Sequence, residues 1–174
     1  MPKIFIDAGF YSGHALDYYA PLMDKSWLVY AFEPNTKFKV TETAKRFPFK
    51  VNWVKKAVWI EDGETDFVMA GREDASYLKD SREADLDGVQ VPCIDFSKFV
   101  GELPDTTIIC SMDIEGAEFP VLEKMLKDGT ASKIDVLDIE FHHRLVDKPA
   151  DDASRLRIAL ESEGVLVKLK IPLE

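Results

Sequence analysis

Acidic residues end four of the apolar runs in this sequence, and their positions suggest a shared site. The runs end at Asp7, Glu33, Asp113 and Glu140. If these runs are parallel strands of one sheet, their carboxyl ends lie along one edge, where open α/β sheets bind ligands. A carboxylate after the second strand can accept hydrogen bonds from both hydroxyls of a ribose, which makes Glu33 the sharpest candidate. The alternative is a solvated acid before the turn at Pro34.

A short glycine loop follows the first run, in the segment FIDAGFYSGHA. Gly9 permits a tight turn, and Gly13 lets the next helix lie close to the strand and a ligand. A pyrophosphate needs more small residues, because the backbone must close around it. The bulky Phe10 and Tyr11 therefore count against NAD or FAD. A nucleoside with an amino-acid tail, such as S-adenosylmethionine, asks less of the loop.

Composition limits the partners that we expect. The formal net charge is -10, which argues against nucleic acid because phosphate binding needs clustered Lys and Arg. A neutral or cationic small molecule is easier to accommodate. Cys93 and Cys110 lie in apolar runs and are expected to be buried thiols. We see no signal peptide and no apolar run long enough to span a membrane, so we expect a cytoplasmic protein without a membrane partner.

Strands and helices alternate along the chain, which predicts a single α/β domain over residues 1–174 with an open, mainly parallel sheet flanked by helices. The segment around Asp62 and Gly63 predicts a β-hairpin insert. The predicted strands are residues 3–6, 28–32, 51–54, 89–94, 107–112, 134–141 and 165–171. The predicted helices are residues 13–19, 37–47, a segment capped by Asp95, residues 119–126 ending near Gly129, and one capped by Asp151 or Asp152 and ending at Gly164.

Several segments, in order, resemble the FkbM-type S-adenosylmethionine-dependent methyltransferases. They are FIDAGFYSG, YAFEPN, KKAV, ASYL, VPCIDF, SMDIEGAEFPVLEKML and DIEFHH. The most specific is MDIEGAEFPVL, since Asp-x-Glu-Gly-x-Glu after an apolar strand is a hallmark of that family. The resemblance covers residues 3 to about 143. It implies the class I methyltransferase fold, which is Rossmann-like, S-adenosylmethionine as cofactor, and usually O-methylation of a hydroxyl on a sugar or other small molecule.

The resemblance also implies a cofactor site. It places Asp7 with the two loop glycines at the methionine end, Glu33 on the ribose, and Ala57 with its neighbours beside the adenine. The cofactor-binding residues expected on this basis are Asp7, Gly9, Phe10, Tyr11, Ser12, Gly13, Glu33, Pro34, Asn35, Ala57, Val58, Ser76 and Asp113.

Asp113, Glu115 and His142 are the candidate catalytic residues. A hydroxyl acceptor benefits from a general base, and His142 follows a strand with Glu140 nearby to orient it. Asp113 could act as base or contact the amino group of the cofactor. Glu115 and Glu118 match the family hallmark, although carboxylates at a helix start also favour the helix dipole. Nothing in the spacing requires a metal ion, and none is expected.

Two departures from the family pattern keep alternatives open. The family loop usually reads Gly-Ala-Asn-x-Gly, whereas this loop reads Gly-Phe-Tyr-Ser-Gly. The sequence also ends soon after the last predicted strand, which predicts a shortened sheet or a neighbouring subunit that covers its edge in a homo-oligomer. A non-catalytic member that binds the cofactor or a partner is one alternative, and a nicotinamide or flavin oxidoreductase is another. Residues 71–88 and 144–151 are expected to select the small-molecule or glycan acceptor.

Overall fold

The computed structural model describes residues 1–38, 40–69, 76–78, 88–142 and 149–170. Its strands are β1 (Ile4–Ala8), β2 (Leu28–Phe32), β3 (Val51–Val54), β4 (Ala57–Trp59), β5 (Gly63–Met69), β6 (Ser76–Leu78), β7 (Gly88–Asp95), β8 (Ile108–Met112), β9 (Val136–Ile139) and β10 (Leu166–Leu169). Its α-helices are α1 (His14–Tyr19), α2 (Val40–Ala44), α3 (Phe96–Glu102), α4 (Glu118–Asp128) and α5 (Ala150–Ser162).

The larger sheet confirms the predicted α/β class. Its six strands have the order β10-β9-β8-β1-β2-β3, and every neighbouring pair is parallel. All five residues of β1 are buried, which is why this strand is almost continuously apolar in the sequence. The strand order reverses between β1 and β8. In such sheets the ligand lies at the carboxyl ends of the strands beside this reversal.

A smaller sheet with the order β4-β7-β5-β6 replaces the predicted hairpin. β4 ends before Asp62 and β5 begins directly after it, at Gly63, but these two strands do not pair with each other. β7 lies between them, parallel to β4 and antiparallel to β5. The Asp62 side chain accepts a 3.3 Å hydrogen bond from the backbone N–H of Asp95, so the connection crosses the end of β7. The hairpin prediction was wrong because the local turn signal does not show which strand fills the gap.

The predicted helix over residues 37–47 is shorter in the structure, where α2 spans Val40–Ala44. Asn35 shapes the segment before it. Its side-chain oxygen accepts from Lys37 N–H at 3.1 Å, and its carbonyl accepts from Phe38 N–H at 3.2 Å. These bonds make residues 35–38 a turn, so Phe38 leaves the predicted helical stripe.

Two of the three predicted helix caps are confirmed. Asp95 accepts a hydrogen bond from Lys98 N–H at 3.0 Å, and Gly129 ends α4 with φ 73°. The predicted cap at Asp151 or Asp152 was wrong. α5 begins at Ala150 after an extended Pro149, and both acids lie inside its first turn, where a negative charge complements the helix dipole.

The core has two layers, one on each face of the larger sheet. Phe5 packs in one layer with Leu16 of α1, and Ile6 packs in the other with Phe119 of α4. This alternation follows from the two-residue repeat of a strand. Cys93 and Cys110 are free and buried, as predicted. Among the residues that the structure describes, no helix has the length and hydrophobicity needed to cross a bilayer.

Candidate functional site

The ends of β1, β2 and β8 meet at one rim of the larger sheet. Phe10 N–H donates to the carbonyl of Phe32, and Asp113 N–H donates to the carbonyl of Ala8, both at 2.9 Å. A pocket with about 720 Å³ of empty space, including its open mouth, lies at this rim. Its lining residues are Gly9, Tyr11, Phe32, Glu33, Pro34, Phe38, Lys56, Ala57, Val58, Phe67, Asp113, Ile114, Glu115 and Ala117.

Glu33 is a pocket residue whose carboxylate is held by the backbone. One oxygen accepts from Tyr11 N–H at 2.9 Å, and the other accepts from Asn35 N–H at 2.8 Å. The residue is 4% exposed. Burial raises the pKa of Glu33, and the two backbone donors oppose this shift. Each carboxylate oxygen can accept a second hydrogen bond, so the group is fixed and still able to bind two hydroxyls.

Gly9 must be a glycine for two reasons. Its φ of 86° lies in the left-handed region, and a Cβ atom there would lie 1.8 Å from the carbonyl oxygen of Asp113. No side chain fits so close to a backbone oxygen. The first loop can therefore lie directly against the loop that follows β8, and this contact brings Asp113 to the pocket.

The two aromatic residues of the glycine loop point in different directions. Phe10 is 1% exposed and packs in the core layer under α1. Tyr11 is 37% exposed and lines the pocket. Its ring meets that of Phe38 edge-on, with 4.7 Å between the centroids. Of the two bulky side chains in this loop, Phe10 therefore belongs to the core and Tyr11 to one wall of the pocket.

Glu118, at the first position of α4, holds the segment that follows β8. It is fully buried, and its carboxylate accepts from Ile114 N–H at 3.0 Å and from Gly116 N–H at 2.8 Å. The same carboxylate lies 2.9 Å from Nδ1 of His142. An ionised carboxylate only accepts, so this contact favours the form of the ring with a proton on Nδ1. Glu118 therefore orients His142, the role that we expected of Glu140.

Three carboxylates surround Nε2 of His142. It lies 3.7 Å from Asp113 Oδ1, 3.6 Å from Glu115 Oε2 and 3.6 Å from Glu140 Oε1. Burial alone lowers the pKa of His142, but the hydrogen bond and charge of Glu118, with the charges of Glu115 and Asp113, outweigh it and raise the pKa to about 9. At neutral pH the ring is therefore an imidazolium and is not free to accept a proton.

Three of these side chains lie close enough together to bind one metal ion. One atom each from Asp113, Glu115 and His142 lies within 4.8 Å of the others. A metal ion that took a nitrogen of His142 as a ligand would have to displace the proton on that nitrogen.

Glu115 lines the pocket and has a strained backbone, with φ 54°. Burial raises the pKa of Glu115 to about 7, with His142 opposing the shift and the neighbouring carboxylates reinforcing it. A carboxylate that titrates near neutral pH can take up a proton from a hydroxyl. Glu115 thus has a pKa that suits a general base.

Comparison with known families covers most of the chain. The model of the methyltransferase FkbM domain matches residues 7–166. The chain belongs to the FkbM methyltransferase family. No curated protein and no solved structure matches it. The matched range contains every residue that lines the pocket, so the pocket belongs to a methyltransferase domain and is the place to seek its methyl donor.

The structure brings eight of the residues expected in this FkbM site to the pocket lining. They are Gly9, Tyr11, Glu33, Pro34, Ala57, Val58, Asp113 and Glu115. The other expected residues that it describes are not part of this lining. Asp7 is 2% exposed, and no hydrogen-bond partner of its Oδ2 occurs in the described ranges. Burial raises the pKa of Asp7 well above its usual value, with Lys170 opposing. Gly13 is the N-cap residue of α1, with φ 82°, and Ser12 precedes it.

Some predictions fall where the structure describes little or nothing. Ser76 lies in β6, and its side chain is outside the described part. His143 and most of the two predicted acceptor loops are also outside it.

Sequence reasoning missed several residues that line this FkbM pocket. They are Phe32, Phe38, Lys56, Phe67, Ile114 and Ala117. Lys56 and Phe32 adjoin predicted site residues and could have been found from position. Phe38 could have been found from the Asn35 turn signal, because Asn often initiates such turns. Phe67 comes from the smaller sheet, whose strand order no local signal reveals.

Proposed function

We propose that this chain transfers a methyl group from S-adenosylmethionine to a hydroxyl of a small molecule or glycan. One observation carries the proposal. The pocket at the strand-order reversal joins a carboxylate fixed by backbone N–H groups, Glu33, to a carboxylate that titrates near neutral pH, Glu115. The first suits a ribose, and the second suits proton removal from an acceptor.

The lining fits the parts of the cofactor. Glu33 would bind the ribose hydroxyls, as a carboxylate does at this position of related sheets. Ala57, Val58 and Phe67 supply apolar surface suited to an adenine. The loop at Gly9, packed against Asp113, would adjoin the methionine end.

The residues of the chain have simple tasks in this reaction. S-adenosylmethionine supplies a methyl group already activated by its sulfonium, so the protein mainly provides proximity and in-line geometry. Glu115 would take the proton from the acceptor hydroxyl as the new C–O bond forms, while the S–CH3 bond breaks and S-adenosylhomocysteine leaves. His142, as an imidazolium fixed by Glu118, supplies positive charge among the carboxylates and keeps them in place.

Calorimetric titration tests the cofactor assignment. Wild-type protein should bind S-adenosylmethionine and S-adenosylhomocysteine, and NAD should not compete. Glu33→Ala should weaken binding by roughly 10- to 100-fold, the scale of a charged hydrogen bond. Glu163→Ala, at an exposed glutamate of the α5 terminus, is the matched control and should bind normally. Tight binding of NAD with no response to either sulfur nucleoside would overturn the proposal.

The reaction needs its own measurement. Purified protein given S-adenosylmethionine and a panel of sugars and phenols should form S-adenosylhomocysteine and an O-methylated product. Cofactor binding with no turnover by any acceptor, and with Glu115→Gln indistinguishable from wild type, would favour a binding protein instead.

A further inference from the structure

The glycine loop contains a residue whose backbone conformation does not suit its side chain. Three loop positions have positive φ, at 86° for Gly9, 46° for Tyr11 and 82° for Gly13. Glycine occupies two of them without strain, but a left-handed Tyr is disfavoured by its Cβ. Such outliers concentrate at ligand sites. Within the described ranges, the other non-glycine residue with positive φ is Glu115, which lines the same pocket.

The ring of Tyr11 forms part of the wall next to Glu33. Its own backbone N–H donates to Glu33 Oε2 at 2.9 Å, so Tyr11 is held next to the carboxylate proposed to bind the ribose. Phe38 supports it edge-on at 4.7 Å, and both rings line the pocket. The wall therefore consists of two aromatic side chains. A glycine at position 11 would avoid the backbone strain but would leave this wall without one of its two rings.

We infer that Tyr11 is a specificity-determining residue: its ring, supported by Phe38, forms a wall beside Glu33 that admits nucleosides only when both ribose hydroxyls are unsubstituted. The inference rests on the proposed function, since it assumes that Glu33 binds the ribose. A group on a ribose oxygen removes a donor to Glu33 and must also enter the space of this wall. A phosphate there meets a further obstacle, because the Tyr11 N–H that could bind it is already bonded to Glu33.

Competition against S-adenosylhomocysteine tests the inference, with adenosine, 2′-O-methyladenosine and 3′-O-methyladenosine as probes. For wild type we expect both methylated probes to bind 30-fold or more weakly than adenosine, and a methylated probe that binds as well as adenosine would overturn the inference. Tyr11→Gly should reduce that ratio to about 3-fold. In this variant a methylated probe still lacks one hydrogen bond to Glu33, but the aromatic ring no longer excludes its methyl group. Tyr11→Phe should keep the wild-type ratio, since it retains the ring. Phe38→Ala should give an intermediate ratio.

The outcomes separate the two proposals. If wild type binds neither S-adenosylmethionine nor S-adenosylhomocysteine, the proposed function fails. If wild type binds them but Tyr11→Gly keeps the full discrimination, the proposed function stands and the role of Tyr11 is overturned. Thermal unfolding checks that each variant is folded. Tyr11→Asn, which suits a left-handed backbone, provides a second removal of the ring should the glycine variant not fold.

Discussion

Glu33 and Glu118 are buried glutamates that follow the two strands flanking β1, and each accepts hydrogen bonds from two backbone N–H groups. They differ in what else the carboxylate faces beyond these two N–H groups. Glu33 lines the pocket and keeps accepting capacity for a ligand, whereas Glu118 is fully enclosed and holds the ring of His142. The same backbone arrangement thus prepares one carboxylate to bind and the other to position. The difference in role follows from whether the carboxylate oxygens face the pocket or a side chain of the protein.

The largest effect should come from a change at Glu115, which lines the pocket with Glu33 and lies beside His142, the residue that Glu118 holds. Glu115→Gln removes the proposed base while keeping the size of the side chain. We expect turnover to fall by about 10²- to 10⁴-fold, the usual contribution of a general base. Affinity for S-adenosylhomocysteine should change little, because Glu33 remains. Single-turnover rates and calorimetry measure the two quantities separately, and an equal loss in both would place Glu115 in cofactor binding instead.

Stability should distinguish the enclosed glutamate from the open one. Glu118→Ala leaves two backbone N–H groups and Nδ1 of the partly buried His142 without their acceptor, and we expect the free energy of unfolding to fall by about 3–5 kcal/mol. Glu33→Ala leaves only two N–H groups without their acceptor, and water can reach them through the pocket. We therefore expect the free energy of unfolding to fall by about 1–2 kcal/mol. Urea denaturation measures both. Glu161→Ala, whose exposed carboxylate pairs with Arg157, should cost under about 0.5 kcal/mol. Equal losses at Glu33 and Glu118 would contradict the comparison.

The pH dependence sharpens the role of Glu118. With the pKa of Glu115 at about 7 and that of His142 at about 9, kcat/KM should rise as Glu115 loses its proton and fall as His142 loses its own. The two limbs belong to the interacting pair rather than to single groups. Glu118→Gln removes the charge that raises the pKa of His142, so the basic limb should move to lower pH by about one unit or more. A basic limb that stays in place would mean that Glu118 has only a structural role.

The sequence predicts Glu33 but not the role of Glu118, and the reason is physical. Glu33 ends an apolar run, so its place at the carboxyl edge follows from strand periodicity alone. His142 lies two residues from Glu140 in the chain, which made that acid the natural partner. Instead, the start of α4 brings Glu118 to Nδ1. Contacts between elements depend on packing, and a single sequence records packing weakly. Phe38 shows the same limit, because an apolar helical spacing fitted a residue that the Asn35 turn directs into the pocket.

The smallest effect concerns Asp7, a third buried carboxylate, whose Oδ2 has no hydrogen-bond partner within the described ranges. Burial raises its pKa well above the usual value, so the charged form costs stability in the folded state. That cost is absent below the unfolded pKa and grows as pH rises through the folded pKa. Asp7→Asn should therefore stabilise the protein by about 1 kcal/mol at pH 8 and by less at pH 5. Thermal unfolding at the two pH values measures the difference. A variant that is less stable at pH 8 than at pH 5, relative to wild type, would show that Lys170 compensates the buried charge.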